Sequence, residues 1–423
     1  MQAIKHFAQK HPKFIFGIIA QNYSLSLEQL RRGKDVWDWF LVSQNKNILF
    51  TEELLYTFEN YWDWKQLSGL PQIQWNQNLI QKFEHKWNWR WLSANVALPW
   101  SRSLIEAFLS RWDWEVLSTN RALPWNNDFI CYFANHWNWW WLSGNLHLRW
   151  SEVLIDTFLD KWNWKKWGLS SNPALPWSAA LIAKYKDKWD WSALSLNRGI
   201  PWSERLIAKY RDKWNWENLS KNPSLPWSTK LIATYTNLWG WWALSSNPGL
   251  PWSEQLLKQY QNLWNWWWLS ANTAIKWTDQ LIDQFKNYWN WSALSNNPAL
   301  PWDEVLLEKY KNLWDWWWEK GLSANKALPW GEILLEKYRD KWEWNWISRN
   351  EGIPWTEQLL MRYAAKLDWK KLSCNKNLPW SLEILLRFED RWDYEKLARN
   401  PAVWEKVFKK YVDDILIEQL LQN

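Results

Sequence analysis

Cysteine is nearly absent from this chain, whose 423 residues include only Cys131 and Cys374, far apart in the sequence. A disulfide-rich fold is therefore excluded, and a reducing, cytoplasmic location is expected. Glycine is also scarce, with 11 residues and no phosphate-cradling loop or dinucleotide-binding motif among them. No cofactor is expected on this basis.

Long apolar runs are missing as well. The run FIFGIIA at residues 14–20 is too short to span a bilayer. Because Lys5, Lys10 and Lys13 precede it, the segment resembles a secretory signal, but no small-residue cleavage pattern follows. We therefore expect no membrane partner and favour the cytoplasm over secretion.

Residues suited to catalysis or metal binding are few or follow the repeat described below. Among five histidines, His136 lies five residues after Cys131 on a predicted helix, so the two side chains diverge and no metal site is expected. Carboxylates recur as helix caps and in first turns, not as a singular pair. We predict that the chain is not an enzyme and has no small-molecule substrate.

Tryptophan, by contrast, is abundant: the chain holds 52, and they recur with a fixed period. Most intervals between anchors are 25 residues, with two longer ones and one shorter one. Such regularity indicates a repeat array. The anchors, mostly in the phrase LPWS, are Phe50, Trp75, Trp100, Trp125, Trp150, Trp177, Trp202, Trp227, Trp252, Trp277, Trp302, Trp330, Trp355, Trp380 and Trp404.

Each repeat predicts two short helices when the anchor is counted as position 0. A capping residue at position 1 and apolar residues at 4, 5, 8 and 12 predict a first helix of about ten residues. Asp or Asn at position 13 predicts a second helix of about six, ended by Asn at position 20 in the left-handed conformation. Tryptophans at positions 0, 12 and 14 are then core residues that start or line the helices.

The predicted fold is all-α: an elongated, right-handed α-solenoid of about fifteen such two-helix, tryptophan-rich repeats. Residues 1–24 are predicted to form an N-terminal cap and residues 25–403 the array. Residues 404–423 are predicted to form a C-terminal capping helix, with Val407, Phe408, Tyr411, Val412, Ile415 and Leu416 on one apolar stripe.

Positions 15 and 16 vary between repeats and are predicted to point away from the core. Some repeats place ordinary residues there, such as Ser192 and Ala193. Two explanations of the tryptophans found there stay open: packing against the neighbouring repeat, or an aromatic platform for a ligand. The candidate platform residues are Trp91, Trp140, Trp141, Trp242, Trp267, Trp268, Trp317, Trp318 and Trp346.

Cations recur at positions 7 and 11, one turn apart. They predict a basic ladder that either follows phosphates or pairs with the acids interleaved at position 10. Its candidate residues are Lys184, Lys188, Lys209, Lys213, Lys337, Lys341, Arg362, Lys366, Arg387 and Arg391.

Two repeats carry insertions, in WNWKKWGLSSN and WDWWWEKGLSAN. Both are predicted to extend the second helix before Gly168 or Gly321, either as tolerated bulges or as contact points.

These patterns favour a non-catalytic scaffold that binds a protein partner along an extended face, since exposed tryptophan is enriched at binding hot spots. The alternative is single-stranded nucleic acid, RNA or DNA, bound by indole stacking and the basic ladder. A glycan-binding array is a third reading, supported only by the abundance of Trp and Asn. The net charge of +7 is too evenly spread to decide between them.

Overall fold

A computed structural model of the protein describes residues 2–317 and 321–422. Every regular element in these two stretches is helical, and no strand occurs in them, so the predicted all-α class is confirmed. The chain divides into two compact units. The central unit runs from Trp39 to Pro251, and the terminal unit joins the residues up to Asp38 to those from Trp252 onward.

In the central unit, first and second helices of the repeats alternate along the chain. The first helices are Glu52–Thr57, Gln77–Lys82, Arg102–Ala107, Asn127–Tyr132, Glu152–Thr157, Ala179–Lys184, Glu204–Lys209 and Thr229–Thr234. The second helices are Trp39–Val42, Trp64–Ser68, Trp89–Ala94, Trp114–Leu117, Trp139–Ser143, the 3-10 turn Leu169–Ser171, Trp191–Leu196, Trp216–Lys221 and Trp241–Ser246.

The terminal unit begins with Gln2–Lys10, Pro12–Asn22 and Leu27–Arg32. Its later first helices are Glu254–Gln259, Asp279–Gln284, Glu304–Lys309, Glu332–Lys337, Glu357–Arg362 and Leu382–Arg387. Its second helices are Trp266–Ala271, Trp291–Ser295, the 3-10 turn Leu322–Ala324, Trp344–Arg349, Trp369–Leu372 and Tyr394–Ala398. Three short elements, Glu389–Arg391, Pro401–Val403 and the π-helical Trp404–Phe408, and a final helix, Asp414–Leu421, complete it.

The predicted helix caps are present in nearly every repeat. In the repeat anchored at Trp202, the Ser203 hydroxyl accepts from the Leu206 N–H at 3.2 Å, and the Asn215 side chain accepts from the Asn218 N–H at 2.9 Å. The first helix is shorter than predicted: it has six residues, because the backbone leaves the helix at Tyr210. That turn buries Tyr210 beside the core and brings the chain directly to the second cap.

Tryptophans at position 12 are buried in the core, as predicted, whereas those at positions 0 and 14 are buried in some repeats and half-buried in others. Trp214 is buried, and its ring lies 5.0 Å from that of Trp202 and 4.8 Å from that of Trp191 in the preceding repeat. Its indole N–H donates to the carbonyl of Ile207 at 3.2 Å, and that of Trp202 donates to the carbonyl of Asn197 at 2.9 Å. In this repeat, large aromatic surfaces are therefore packed together without leaving their polar atoms unpaired. The buried indole N–H of Trp355, by contrast, has no partner in the described part of the chain.

Buried serines and asparagines connect each repeat to the one before it. The Asn222 amide donates to the carbonyls of Ser195 at 3.0 Å and Asn197 at 3.2 Å, and its oxygen accepts from the Ser224 N–H at 3.0 Å. The predicted left-handed ending at Asn is wrong: Asn222 is extended, at φ −83° and ψ 113°. The extended backbone points the Asn222 side chain toward the preceding repeat, and the hydrogen bonds made there stabilise this conformation.

The Ser220 hydroxyl completes this connection. It donates to the Trp216 carbonyl at 2.7 Å and accepts from the Gly240 N–H of the following repeat at 2.9 Å. The same pair of bonds recurs in other repeats, for example at Ser118. We call this set of buried Ser and Asn bonds the polar ladder.

The first insertion does not extend the second helix, so the prediction is wrong there. The Leu169 N–H donates to the Asn163 carbonyl at 2.8 Å, which turns residues 165–168 outward as a bulge. Ser170 keeps its place in the polar ladder, accepting from the Asp190 N–H at 3.0 Å. Retaining these inter-repeat bonds favours a bulge over a longer helix. The second insertion includes residues 318–320, which lie outside the described residues.

Within the terminal unit, the first and last segments of the chain pack against each other. Glu389 accepts from the side chains of Lys10 and His11, each at 2.7 Å, and Phe14 lies 5.6 Å from Phe408. Asp414 accepts from Gln29 at 2.8 Å. We call these contacts the terminal clasp.

The last segment is not the single helix that the sequence predicts. Asp413 caps a new helix by accepting from the Leu416 N–H at 2.8 Å, and this break rotates Ile415 outward, to 67% exposed. The other residues of the predicted stripe are buried or half-buried.

Candidate functional site

The tryptophans at positions 15 and 16 lie on the outer side of the second helices. Seven of them are between 38% and 60% exposed: Trp91, Trp140, Trp141 and Trp242 in the central unit and Trp267, Trp268 and Trp317 in the terminal unit. Trp346 is half-buried, and Trp318 lies outside the described residues.

Packing on the preceding repeat covers one part of these indoles. Trp91 lies against Gly69, where an added Cβ would come within 2.8 Å of the ring. The Lys221 ammonium is 4.5 Å from the Trp242 ring. Trp346 has a cation within its own repeat, the Arg349 guanidinium at 5.2 Å. One part of these indoles therefore packs against the protein, and the rest faces solvent.

Two adjacent pairs have the same geometry. The Trp140 and Trp141 rings are 4.7 Å apart at an angle of 81°, and those of Trp267 and Trp268 are 4.6 Å apart at 85°. The two rings of each pair are in edge-to-face contact and together form one apolar surface. The central and terminal units each carry one such pair.

The basic ladder is largely occupied by contacts inside the protein. At position 11, each cation lies over the position-14 indole of the preceding repeat, not over the outward pairs. The distances are 5.1 to 5.9 Å for Lys188, Lys213, Lys341, Lys366 and Arg391.

At position 7, four of the five ladder cations bind carboxylates of the preceding repeat. Lys184 contacts Asp156 at 2.7 Å, Lys337 contacts Glu308 at 3.4 Å and Arg387 contacts Glu357 at 2.7 Å. Arg362 pairs with Glu332, while Lys209 lies 5.1 Å from the Tyr210 ring. Exposed pairs of this kind contribute little stability, about 0–1 kcal/mol each. They neutralise the cations that would have to contact the phosphates of a bound nucleic acid.

Tyrosine hydroxyls strengthen this acidic face. The Tyr338 hydroxyl donates to Glu308 at 2.7 Å. Together with the hydrogen bond from Lys311, the larger effect, it lowers the pKa of Glu308 to about 2. Burial, followed by the hydrogen bond to Glu336, raises the pKa of Tyr363 to about 12. These acids are therefore ionised and paired at neutral pH, which gives them a structural role.

The described residues hold no cluster of three or more His, Cys, Asp or Glu side chains arranged for a metal ion. In the same stretches, no helix has the length and apolarity needed to cross a membrane. Cys131 and Cys374 are both exposed and unbridged.

One exposed indole was missed by the sequence reasoning. Trp167, in the first insertion, is 65% exposed and is the only non-glycine residue in the described chain with a positive φ, 70°. It occupies neither position 15 nor position 16 in the repeat register, so a position-based search passes over it. The signal was the insertion itself, which breaks the period at Trp150–Trp177.

Comparison of the chain with known protein families, curated proteins and solved structures finds no match.

Proposed function

We propose that the protein is a non-catalytic repeat scaffold that binds a protein partner through the outward tryptophans of its second helices. The proposal includes the expectation that the repeats stack as a right-handed solenoid. Stacked repeats offer large surfaces, and half-exposed tryptophans are the side chains most enriched at the energetic centres of interfaces.

One observation carries the proposal: the fold does not require tryptophan at positions 15 and 16. The repeat with Ser192 and Ala193 at these positions has the same cap bond as the repeat with Trp267 and Trp268. More specifically, the Ala193 N–H donates to Asp190 at 3.0 Å, and the Trp268 N–H donates to Asn265 at 3.2 Å. Large apolar side chains that are exposed without a structural need favour a binding role.

The charges favour protein over nucleic acid. Binding to a phosphate backbone needs cations that are free to release counterions, and most of the basic ladder is already paired with carboxylates or lies over core indoles. The ladder and the outward indoles also sit on different helices, whereas a nucleic-acid groove combines the two.

The test uses residues that the chain itself employs at these positions. We expect the quadruple variant Trp140→Ser, Trp141→Ala, Trp267→Ser, Trp268→Ala to fold as the parent does but to lose a discrete partner in affinity purification from its source cells. Lys209→Ala with Lys213→Ala serves as the matched control and should retain the partner. Nuclease-sensitive capture that weakens steeply with salt and depends on the ladder would instead support the nucleic-acid alternative.

A further inference from the structure

An open cleft of about 620 Å³ lies within the central unit, beside the first insertion. This volume falls in the range of ligand-binding pockets. Its walls include Trp140, Trp141, Trp167, Leu146, His147 and Thr119. The cleft therefore joins one perpendicular indole pair to the strained indole of the insertion.

The insertion builds one wall of the cleft at a conformational cost. Trp167 is held at φ 70°, a left-handed conformation that bulky residues rarely adopt. The Trp167 carbonyl approaches Gly144 so closely that a Cβ there would lie 2.9 Å from its oxygen. Backbone strain that surrounding contacts maintain is typical of functional sites.

The cleft offers several hydrogen-bond donors, and its acceptors include the His147 ring and the Thr119 hydroxyl. The indole N–H groups of Trp140, Trp141 and Trp167 make no hydrogen bond within the described part of the chain. The polar atoms of Asn145 are already engaged: its amide donates to the Ser118 carbonyl at 2.9 Å and its side-chain oxygen accepts from the His147 N–H at 2.8 Å. A complementary ligand thus presents acceptors and apolar faces.

The charges near the cleft are positive. No carboxylate lines it. Lys165 and Lys166 flank Trp167 in the insertion, and neither forms an ion pair with the residues that the structure describes. The nearest acid in contact with this segment is Asp190, which accepts from the backbone N–H of Lys166 at 3.2 Å. A cationic ligand is disfavoured here, and acidic groups beside the apolar part of the ligand are favoured.

We propose that this cleft binds an extended, proline-rich segment of the protein partner, flanked by acidic residues. Proline rings stack against indoles, and a polyproline II segment supplies carbonyl acceptors while lacking N–H donors. This inference rests on the proposed function, because it specifies the kind of partner segment that binds in the cleft.

The test measures anisotropy of a fluorescein-labelled hexaproline peptide flanked by glutamates, titrated with the full chain. We expect saturable binding that falls about tenfold or more in Trp141→Ala and in Trp167→Ala. The matched control is Leu196→Ala, an exposed apolar residue of a second helix in the same central unit that does not line the cleft, and it should change binding less than about twofold.

Three further probes identify the chemistry. Peptides with alanine in place of proline, or lysine in place of glutamate, should bind more weakly, and a labelled cello-oligosaccharide should not bind. Tighter binding of the lysine peptide or of the oligosaccharide overturns the proposal, and so does equal weakening in Leu196→Ala. If hexaproline fails to bind while the quadruple variant still loses its partner, this inference is wrong and the proposed function stands. If both results are negative, both are wrong.

Discussion

Replacing one asparagine of the polar ladder should destabilise the protein more than the loss of an exposed polar side chain would. The change Asn222→Ala deletes three hydrogen bonds at a side chain that is about 1% exposed. At roughly 1 kcal/mol for each bond, the expected loss is about 3 kcal/mol. The Asn197 carbonyl keeps a second donor, the indole of Trp202 at 2.9 Å, so the Ser195 carbonyl loses more than Asn197 does.

The neighbouring variant Lys221→Ala is the matched control. Its side chain makes an exposed bond to Glu217 at 3.0 Å, and its ammonium lies 4.5 Å from the Trp242 ring, so its loss should cost below about 1 kcal/mol.

Hydrogen exchange is the appropriate assay, because repeat arrays open locally and a single unfolding free energy does not describe them. We expect faster exchange in the two repeats that Asn222 joins, residues 177–226, and little change in repeats further along the chain. Equal effects of Asn222→Ala and Lys221→Ala would refute the account of the ladder.

Three other predictions follow from the same contacts. Trp214→Ala should cost about 3–5 kcal/mol as a large-to-small core change, whereas Trp267→Ala should cost under about 1 kcal/mol; hydrogen exchange in the repeat that holds each residue compares them. Burial of Glu389 alone would raise its pKa, but hydrogen bonds from Lys10 and His11 outweigh this and hold the pKa below 4.5. The stabilising contribution of Glu389 to the clasp is therefore present above its unfolded pKa and is lost as pH falls through the lower folded value. The protection factors of Pro12–Asn22, corrected for the intrinsic exchange rate at each pH, should fall in acid, and less steeply in Glu389→Gln. Deleting Lys166 and Trp167 restores the 25-residue spacing, so the far-UV circular dichroism should be unchanged while the hexaproline peptide no longer binds.

Periodicity and capping chemistry were enough to predict the helix pairs and the core tryptophans. Ser203 and Asn215 begin their helices where the sequence places them, since capping is a local interaction. The role of Asn222 was not predictable in this way. Its partners lie 25 and 27 residues earlier, so its side-chain bonds depend on how repeats stack.

The candidate site was likewise predictable only where local geometry determines it. The outward direction of Trp267 follows from helical geometry, because positions 15 and 16 diverge from the core stripe. The cleft was not predictable from helical geometry, because it depends on a strained turn at Trp167 and on the close approach of the Trp167 carbonyl to Gly144. Ile415 shows the converse error: its apolar side chain fits the predicted stripe, but the cap at Asp413 turns it outward.

Oxidative footprinting of the free chain and of the captured complex tests the central claim most directly. In the free chain, Trp140, Trp141, Trp267 and Trp268 should be oxidised readily, and buried Trp214 and Trp239 should be resistant. On complex formation, we predict protection concentrated at the four outward indoles, with the position-7 and position-11 lysines still open to acetylation. Protection of those lysines without protection of the outward indoles would contradict the claim that these tryptophans bind the partner.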